Sequence, residues 1–286
     1  MVQPSLFEGD GEAEPKPADD RPRTLRLLIV VTAAPQPSET HGETVCVAGI
    51  RLDVERLGWV RLYPINLRHL GNERKFRKYD IVTVDAVPSR RDPRYESWRP
   101  RLDSLRVHDS LPPWQARRPH VEPLARQSMC EVLNAVRADP PANSLAAVRP
   151  RAVTDFVVRP HPGWTPDEQR KIDRYVNELD LFGELRSALE APRFKAWYRY
   201  RCASVRCRGH EQGLLDWEFV ALQRRLAGMD DATAVAALRT RFLTEMCGSG
   251  REVTFFVGNQ AKRQHTFSVL GVFYPPRVSA SRTTLR

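Results

Sequence analysis

The sequence predicts a strand-rich α+β protein built on small β-barrel-like units with added helices. Three observations predict it. Short runs of alternating or β-branched apolar residues recur along the chain, bounded by turn-forming residues. Helical periodicity is confined to segments from Ala125 onward. No apolar run reaches the roughly 18 residues that a membrane span needs.

The elements follow in order. Residues 1–23, rich in Pro, Glu and Asp with few apolar anchors, read as a disordered acidic leader. Thr24 to Thr32 reads as a strand, with Leu25, Leu27, Ile29 and Val31 on one face. Thr44 to Leu52, Trp59 to Tyr63 and Asp80 to Val87 give three more. Residues 88–120 carry Arg, Pro and interleaved aromatics, and little regular structure is expected there. Met129, Val132, Leu133 and Val136 fall at helical spacing within Ala125 to Ala138, and Pro140 and Pro141 stop that helix.

Ser144 to Arg159 gives one or two strands. Thr165 as N-cap and Pro166 at the first helical position start a helix that could run to Ala191 with a break near Gly183. Phe194 to Cys202 alternates as a strand, and Asp216 to Leu226 and Ala232 to Met246 read as helices. Val253 to Gly258 and Thr266 to Tyr274 close the chain as strands around a basic turn at Asn259 to His265, with Gly258-Asn259 permitting the change of direction. The expected organisation is a first barrel with an Arg-rich arm (24–120), a helical segment with a second barrel-like unit (121–276) and a tail (277–286).

Charge and chemistry narrow the function. Lys and Arg total 45 against 35 Asp and Glu, a net charge of +10. Such an excess attracts polyanions, and nucleic acid is the expected partner. Five cysteines, an odd number, do not form a disulfide framework, and no signal-peptide layout precedes the first strand. A cytoplasmic, non-membrane protein is expected. No P-loop, dinucleotide fingerprint or G-x-S-x-G is present, so nucleotide hydrolysis, a redox cofactor and a serine nucleophile find no support.

The most specific local feature is Cys202-x4-Cys207-x2-His210. Thiolates and imidazole at this spacing could wrap one zinc ion, with Cys247, His265, Asp216 or Cys130 as fourth ligand. A closed set would be structural; an open position filled by water would be hydrolytic. His210, Asp216 and Glu218 are accordingly the candidate catalytic residues of an enzyme acting on nucleic acid. Alternatively, Asp216 N-caps the following helix with Glu218 in its first turn. Candidate nucleic-acid contacts are Arg90, Arg91, Arg94, Trp98 and Arg99 in the arm, and Lys262, Arg263 and His265 in the closing hairpin. Guanidinium groups pair with phosphates and aromatic rings stack on unpaired bases. The arm could equally wrap the barrel with its aromatics buried, and the hairpin tip could be a solvated loop.

The segments ETVCVAGI (43–50), GWVRLYP (58–64) and KYDIVTVD (78–85), followed by SLAAVRP (144–150), LLDWEF (214–219) and FSVLGVFYP (267–275), resemble bacterial proteins with a dual OB-containing domain. The resemblance implies two OB-like β-barrel units, whose faces and loops often bind oligonucleotides. It carries no activity onto particular residues. Three functions therefore compete: a nucleic-acid-binding module, a metal-dependent nuclease or base-modifying hydrolase, and a scaffold with protein partners in a DNA-processing or defence assembly.

Overall fold

The computed structural model describes residues 15–38, 42–67, 70–125, 128–141, 144–177 and 187–278. The first half forms β1 (Arg23–Thr32), β2 (Gln36–Ser38), β3 (Gly42–Arg51), β4 (Trp59–Ile65), β5 (Asp80–Pro88), β6 (Ser97–Pro100) and β7 (Arg106–Ser110). Five of these close a barrel in the order β1-β3-β4-β6-β5, with β5 returning to β1. β4 and β6 are the parallel pair; the others are antiparallel. β1 closes the ring by pairing with β5 through Arg23–Leu28 and with β3 through Leu27–Thr32.

Period-two patterning divides the side chains. Leu25, Leu27 and Ile29 of β1, Val45 and Val47 of β3, and Val60 and Leu62 of β4 fill the barrel. The opposite faces of the same strands supply Leu28, Val30, Ile50 and Trp59 to a second apolar cluster shared with Leu145, Phe256, Leu270 and Phe273 from the other half. The two halves therefore share a continuous buried interface.

The second half contains α1 (Arg118–Val121), α2 (Met129–Ala138), β8 (Leu145–Val148), β9 (Pro150–Pro160), α3 (Pro166–Asn177), β10 (Phe194–Cys202), β11 (His210–Gly213), α4 (Trp217–Arg225), α5 (Asp231–Arg239), β12 (Thr254–Gln260) and β13 (Arg263–Phe273). β9-β10-β11 and β8-β12-β13 are three-stranded sheets. They are joined by the near-continuous chain from β8 to β9 and by a parallel bridge of Leu214 to Val269. The circuit β8/β9-β10-β11-β13-β12 repeats the strand order of the first barrel, down to the parallel contact between its third and fifth strands. Both halves are thus OB-like, as expected. Around Phe156, the rings of Tyr198, Phe219 and Phe242 pack at centroid distances of 4.7–6.0 Å and plug the second barrel.

Several boundaries differ from expectation. The Arg-rich stretch holds β6, the strand that closes the first barrel; its four residues are too short and too polar to show periodicity. α2 begins at Met129, because Ser128 and Glu131 form a capping box there. The helix expected over 165–191 is described from Pro166 to Asn177; its expected break near Gly183 lies outside the described residues, and Ser187 to Ala191 are not helical, which corrects its expected end. Of the leader, residues 15–22 are described and pack on the loop after β5, where Lys16 donates to the Ser89 carbonyl at 2.6 Å. Gly258-Asn259 lies inside β12, and the reversal falls at Ala261-Lys262. A Cβ at Gly258 would stand 2.6 Å from a Leu270 methyl and 2.9 Å from a Leu145 methyl, so any side chain there would push both leucines aside. No helix among the described residues is long and apolar enough to cross a membrane.

Candidate functional site

Two places gather chemistry. The first is a Cys/His centre on the β10–β11 hairpin. Cys202 ends β10 and His210 starts β11, while Cys207 sits in the turn between them. Gly209, at φ +105°, takes the left-handed conformation that the turn requires. The fourth member is Cys130, in the first turn of α2, and all four ligand atoms lie within 4.8 Å of one another. His210 Nε2 is 3.3 Å from Cys207 Sγ, 3.4 Å from Cys202 Sγ and 3.7 Å from Cys130 Sγ, and the last two sulfurs are 3.6 Å apart. This Cys3His set could hold a metal ion. Burial and the neighbouring Cys202 push the Cys130 thiol up. At Cys202 burial acts the same way, but hydrogen bonds from the Cys130 backbone and His210 outweigh it and bring the thiol down. Of the other candidate fourth ligands, the Cys247 thiol faces the Phe242 carbonyl at 3.4 Å, and burial pushes it up to about 12.

The second place is a cleft of about 1040 Å³ between the barrels. Its walls are the β1–β3 connection, the outward face of β3 and β4, the β5–β6 loop and the β12–β13 hairpin. On β4 the outward residues change character along the strand. Trp59 is in the shared apolar core, Arg61 is buried at 3% exposure, and Tyr63 is 46% exposed in the cleft. Arg61 donates to Cys46 Sγ at 3.0 Å and to the Ser144 carbonyl and hydroxyl at 3.1 Å. Its guanidinium is 3.8 Å from Glu96, to which Ser144 also donates. The cleft floor is therefore a buried ion pair of the first barrel, tied to the second half by hydrogen bonds with Ser144.

The predicted contacts separate here. Arg90, Arg91, Arg94 and Arg99 and, from the opposite hairpin, Lys262 all line the cleft. Arg91, Arg99 and Lys262 are exposed and have no ion pair among the described residues. Arg94 is a correction: it is buried, paired with Asp92 at 2.5 Å, and donates to the Asn259 carbonyl at 2.6 Å, so it bolts the two hairpins together. That pairing, working against burial, holds the Asp92 carboxyl down at about 2. Trp98 is a second correction. Its ring is 6% exposed inside the first barrel, because β6 turns that position inward, and it offers no face to a base. Arg263 and His265 are exposed at the start of β13, beyond the residues that line the cleft. Further along the arm, Arg118 pairs with Glu122 and Glu252, and Arg117 stacks on Tyr79 at 3.7 Å.

His210, Asp216 and Glu218 do not form one site. His210 Nε2 faces the three sulfurs. Asp216 N-caps α4, accepting from the Glu218 amide at 2.8 Å. Glu218 lies 3.7 Å from the ammonium of Lys78, which donates to the Val272 carbonyl at 3.2 Å. Asp216 is 3% exposed, and burial raises its carboxyl to about 7 even though Lys78 works the other way. Sequence reading missed Arg61, Tyr63 and Lys78. A cation in the middle of the apolar run WVRLY was the available signal for Arg61.

The class that fold and site define is a two-barrel OB-like protein with a Cys/His centre and a basic cleft between its barrels. The chain belongs to the family described as "Domain of unknown function (DUF8757)", which matches residues 125–286, and residues 23–123 match a second, "Domain of unknown function (DUF8758)". No curated protein matches the chain.

Proposed function

We propose that this chain binds single-stranded nucleic acid in the cleft between its barrels, as a bacterial dual OB-containing protein of DNA or RNA metabolism or defence. One observation carries the reading. The β5–β6 loop of one barrel and the β12–β13 hairpin of the other are topologically equivalent. They converge on one cleft, whose lining includes Arg91, Lys262, Arg99 of the adjoining β6 and the exposed ring of Tyr63. In OB barrels the second and third strands and the loop between the fourth and fifth are the usual oligonucleotide-binding elements. Here they are β3, β4 and the 88–96 loop. The cations neutralise phosphates, and Tyr63 presents a face on which an unpaired base stacks.

The Cys/His centre supports zinc in a structural role. Zinc bonds of about 2.3 Å to sulfur and about 2.0 Å to nitrogen in a tetrahedron separate ligand atoms by roughly 3.5–3.8 Å. Four of the six separations, at 3.3–3.7 Å, lie close to that cage, and all six are within 4.8 Å. Four protein ligands leave no position for a substrate water. With Asp216 engaged in a helix cap, the geometry favours binding over hydrolysis.

Fluorescence anisotropy with labelled oligo-dT, oligo-rU and a DNA duplex, each at 50 and 200 mM salt, tests the reading. Single strands should bind more tightly than duplex and weaken steeply with salt. Affinity that is indifferent to salt, or a preference for duplex, would overturn it.

A further inference from the structure

The leader expected to be a free acidic tail touches the cleft. Arg90, at the cleft rim, donates through Nη2 to the carbonyls of Pro17, Ala18 and Asp19 at 2.7–2.9 Å. Its Nε donates to Asp20 Oδ1 at 2.6 Å. Asp20 itself lines the cleft. The segment is pinned on its other side by Lys16, whose ammonium donates to the carbonyls of Ser89 and Asp92 on the same β5–β6 loop. Asp19 pairs with Arg23 at 3.2 Å, which ties the segment to the start of β1.

These contacts have the chemistry of a phosphate. A guanidinium at the rim of a cationic cleft gives its Nε and Nη2 donors to four oxygens of the chain's own leader, one of them anionic. The Nε/Nη2 edge of Arg90 cannot take a phosphate as a two-pronged pair while it holds the leader. We infer that residues 16–20 are an intramolecular competitor for the nucleic-acid cleft, a strap that must lift from Arg90 before a strand occupies the full site. The inference rests on the cleft's being the binding site. On its cleft side the strap is held by solvent-exposed charge and hydrogen bonds, the side chains of Arg90 and Asp20 being 43% and 70% exposed, while Lys16 behind it is half-buried. Exposed pairs of this kind contribute little, so the strap is a modest brake, of about two- to fivefold in affinity. It favours ligands long enough to fill the cleft and displace it. Weak exposed contacts that fit this purpose poorly as structural glue fit it well as a releasable cover.

The test uses the full chain. The D19N/D20N variant should bind oligo-dT about two- to fivefold more tightly than wild type. D109N/D173N, which makes the same change in net charge elsewhere, should gain less. Endoproteinase Asp-N cleavage between Ala18 and Asp19 reads the strap directly: saturating oligo-dT should speed it in wild type, and R90A should speed it without ligand. If oligo-dT binds but the two double variants gain equally, or cleavage is unchanged by ligand, the strap is overturned and the cleft reading stands. If R90A leaves cleavage unchanged, the strap is overturned whatever binds. If oligo-dT binds neither wild type nor variant, the cleft reading fails and takes the strap with it.

Discussion

The triple substitution R91A/R99A/K262A probes the cleft most directly. Each of these side chains is exposed, lines the cleft and has no ion pair among the described residues, so removal should shift stability by no more than about 0.5 kcal/mol. For single strands, each neutralised phosphate contributes about 0.7 to the slope of log affinity against log salt. Three lost contacts should flatten that slope by about 2. Over the fourfold rise from 50 to 200 mM salt, the wild-type protein should then lose about twentyfold more affinity than the variant. The assay is anisotropy titration of oligo-dT across four salt concentrations, beside a charge-matched control, R26A/R137A/R225A, on surfaces away from the cleft. Equal flattening in both variants would refute the reasoning, because the charge would then act diffusely over the whole surface. A variant that keeps the wild-type slope would refute it more simply, by showing that no phosphate sits among these residues.

Other expectations follow from the same geometry. Metal analysis of the purified protein should find one zinc per chain. A chelator or C130S should lower the melting temperature, by about 5–15 °C if the site was held a hundred- to a thousandfold above its dissociation constant; an unchanged melting curve with stoichiometric metal loss would count against a structural role. E96A leaves the Arg61 guanidinium buried without its partner and should cost about 3–5 kcal/mol in urea unfolding, whereas R61M/E96M should recover much of that loss. Equal losses in single and double variants would argue that the two buried charges do not compensate each other. Asp216 holds its proton more tightly folded, at about 7, than at its ordinary 3.8. The native state therefore binds the extra proton, and this contribution to stability is full below about pH 4 and lost as the pH rises towards 7. D216N should remove that slope while keeping a capping side chain. Parallel stability curves for the two proteins across pH 4–8 would refute the assignment.

Much of the local structure was legible in the sequence, because it rests on interactions a few residues long. The alternation of Leu25, Leu27 and Ile29 marked β1, and the same pattern marked β3, β5, β10 and β13. Thr165 and Glu168 exchange their capping hydrogen bonds as the motif predicts. Asp216 caps α4 for the same reason. Three of the four Cys/His residues fall within nine positions of each other, so their shared site could be read from spacing alone.

What only the tertiary structure decided depends on segments far apart in the chain. Cys130 became the fourth member of the Cys/His group because α2 packs its first turn against a hairpin 72 residues later. Trp98 faces inward because β6 pairs with β4 and β5; no local pattern in four residues states which side is the core. The β8/β9-β10-β11-β13-β12 circuit repeats the first barrel's order without a visible sequence repeat, since strand pairing constrains alternation and closure and leaves residue identity free. The grouping of Arg91, Arg99 and Lys262 likewise exists only where two barrels meet. Composition set the amount of positive charge, and barrel packing set where it gathered. Charge is additive along a chain, but its concentration in a cleft is a property of the surface that folding makes.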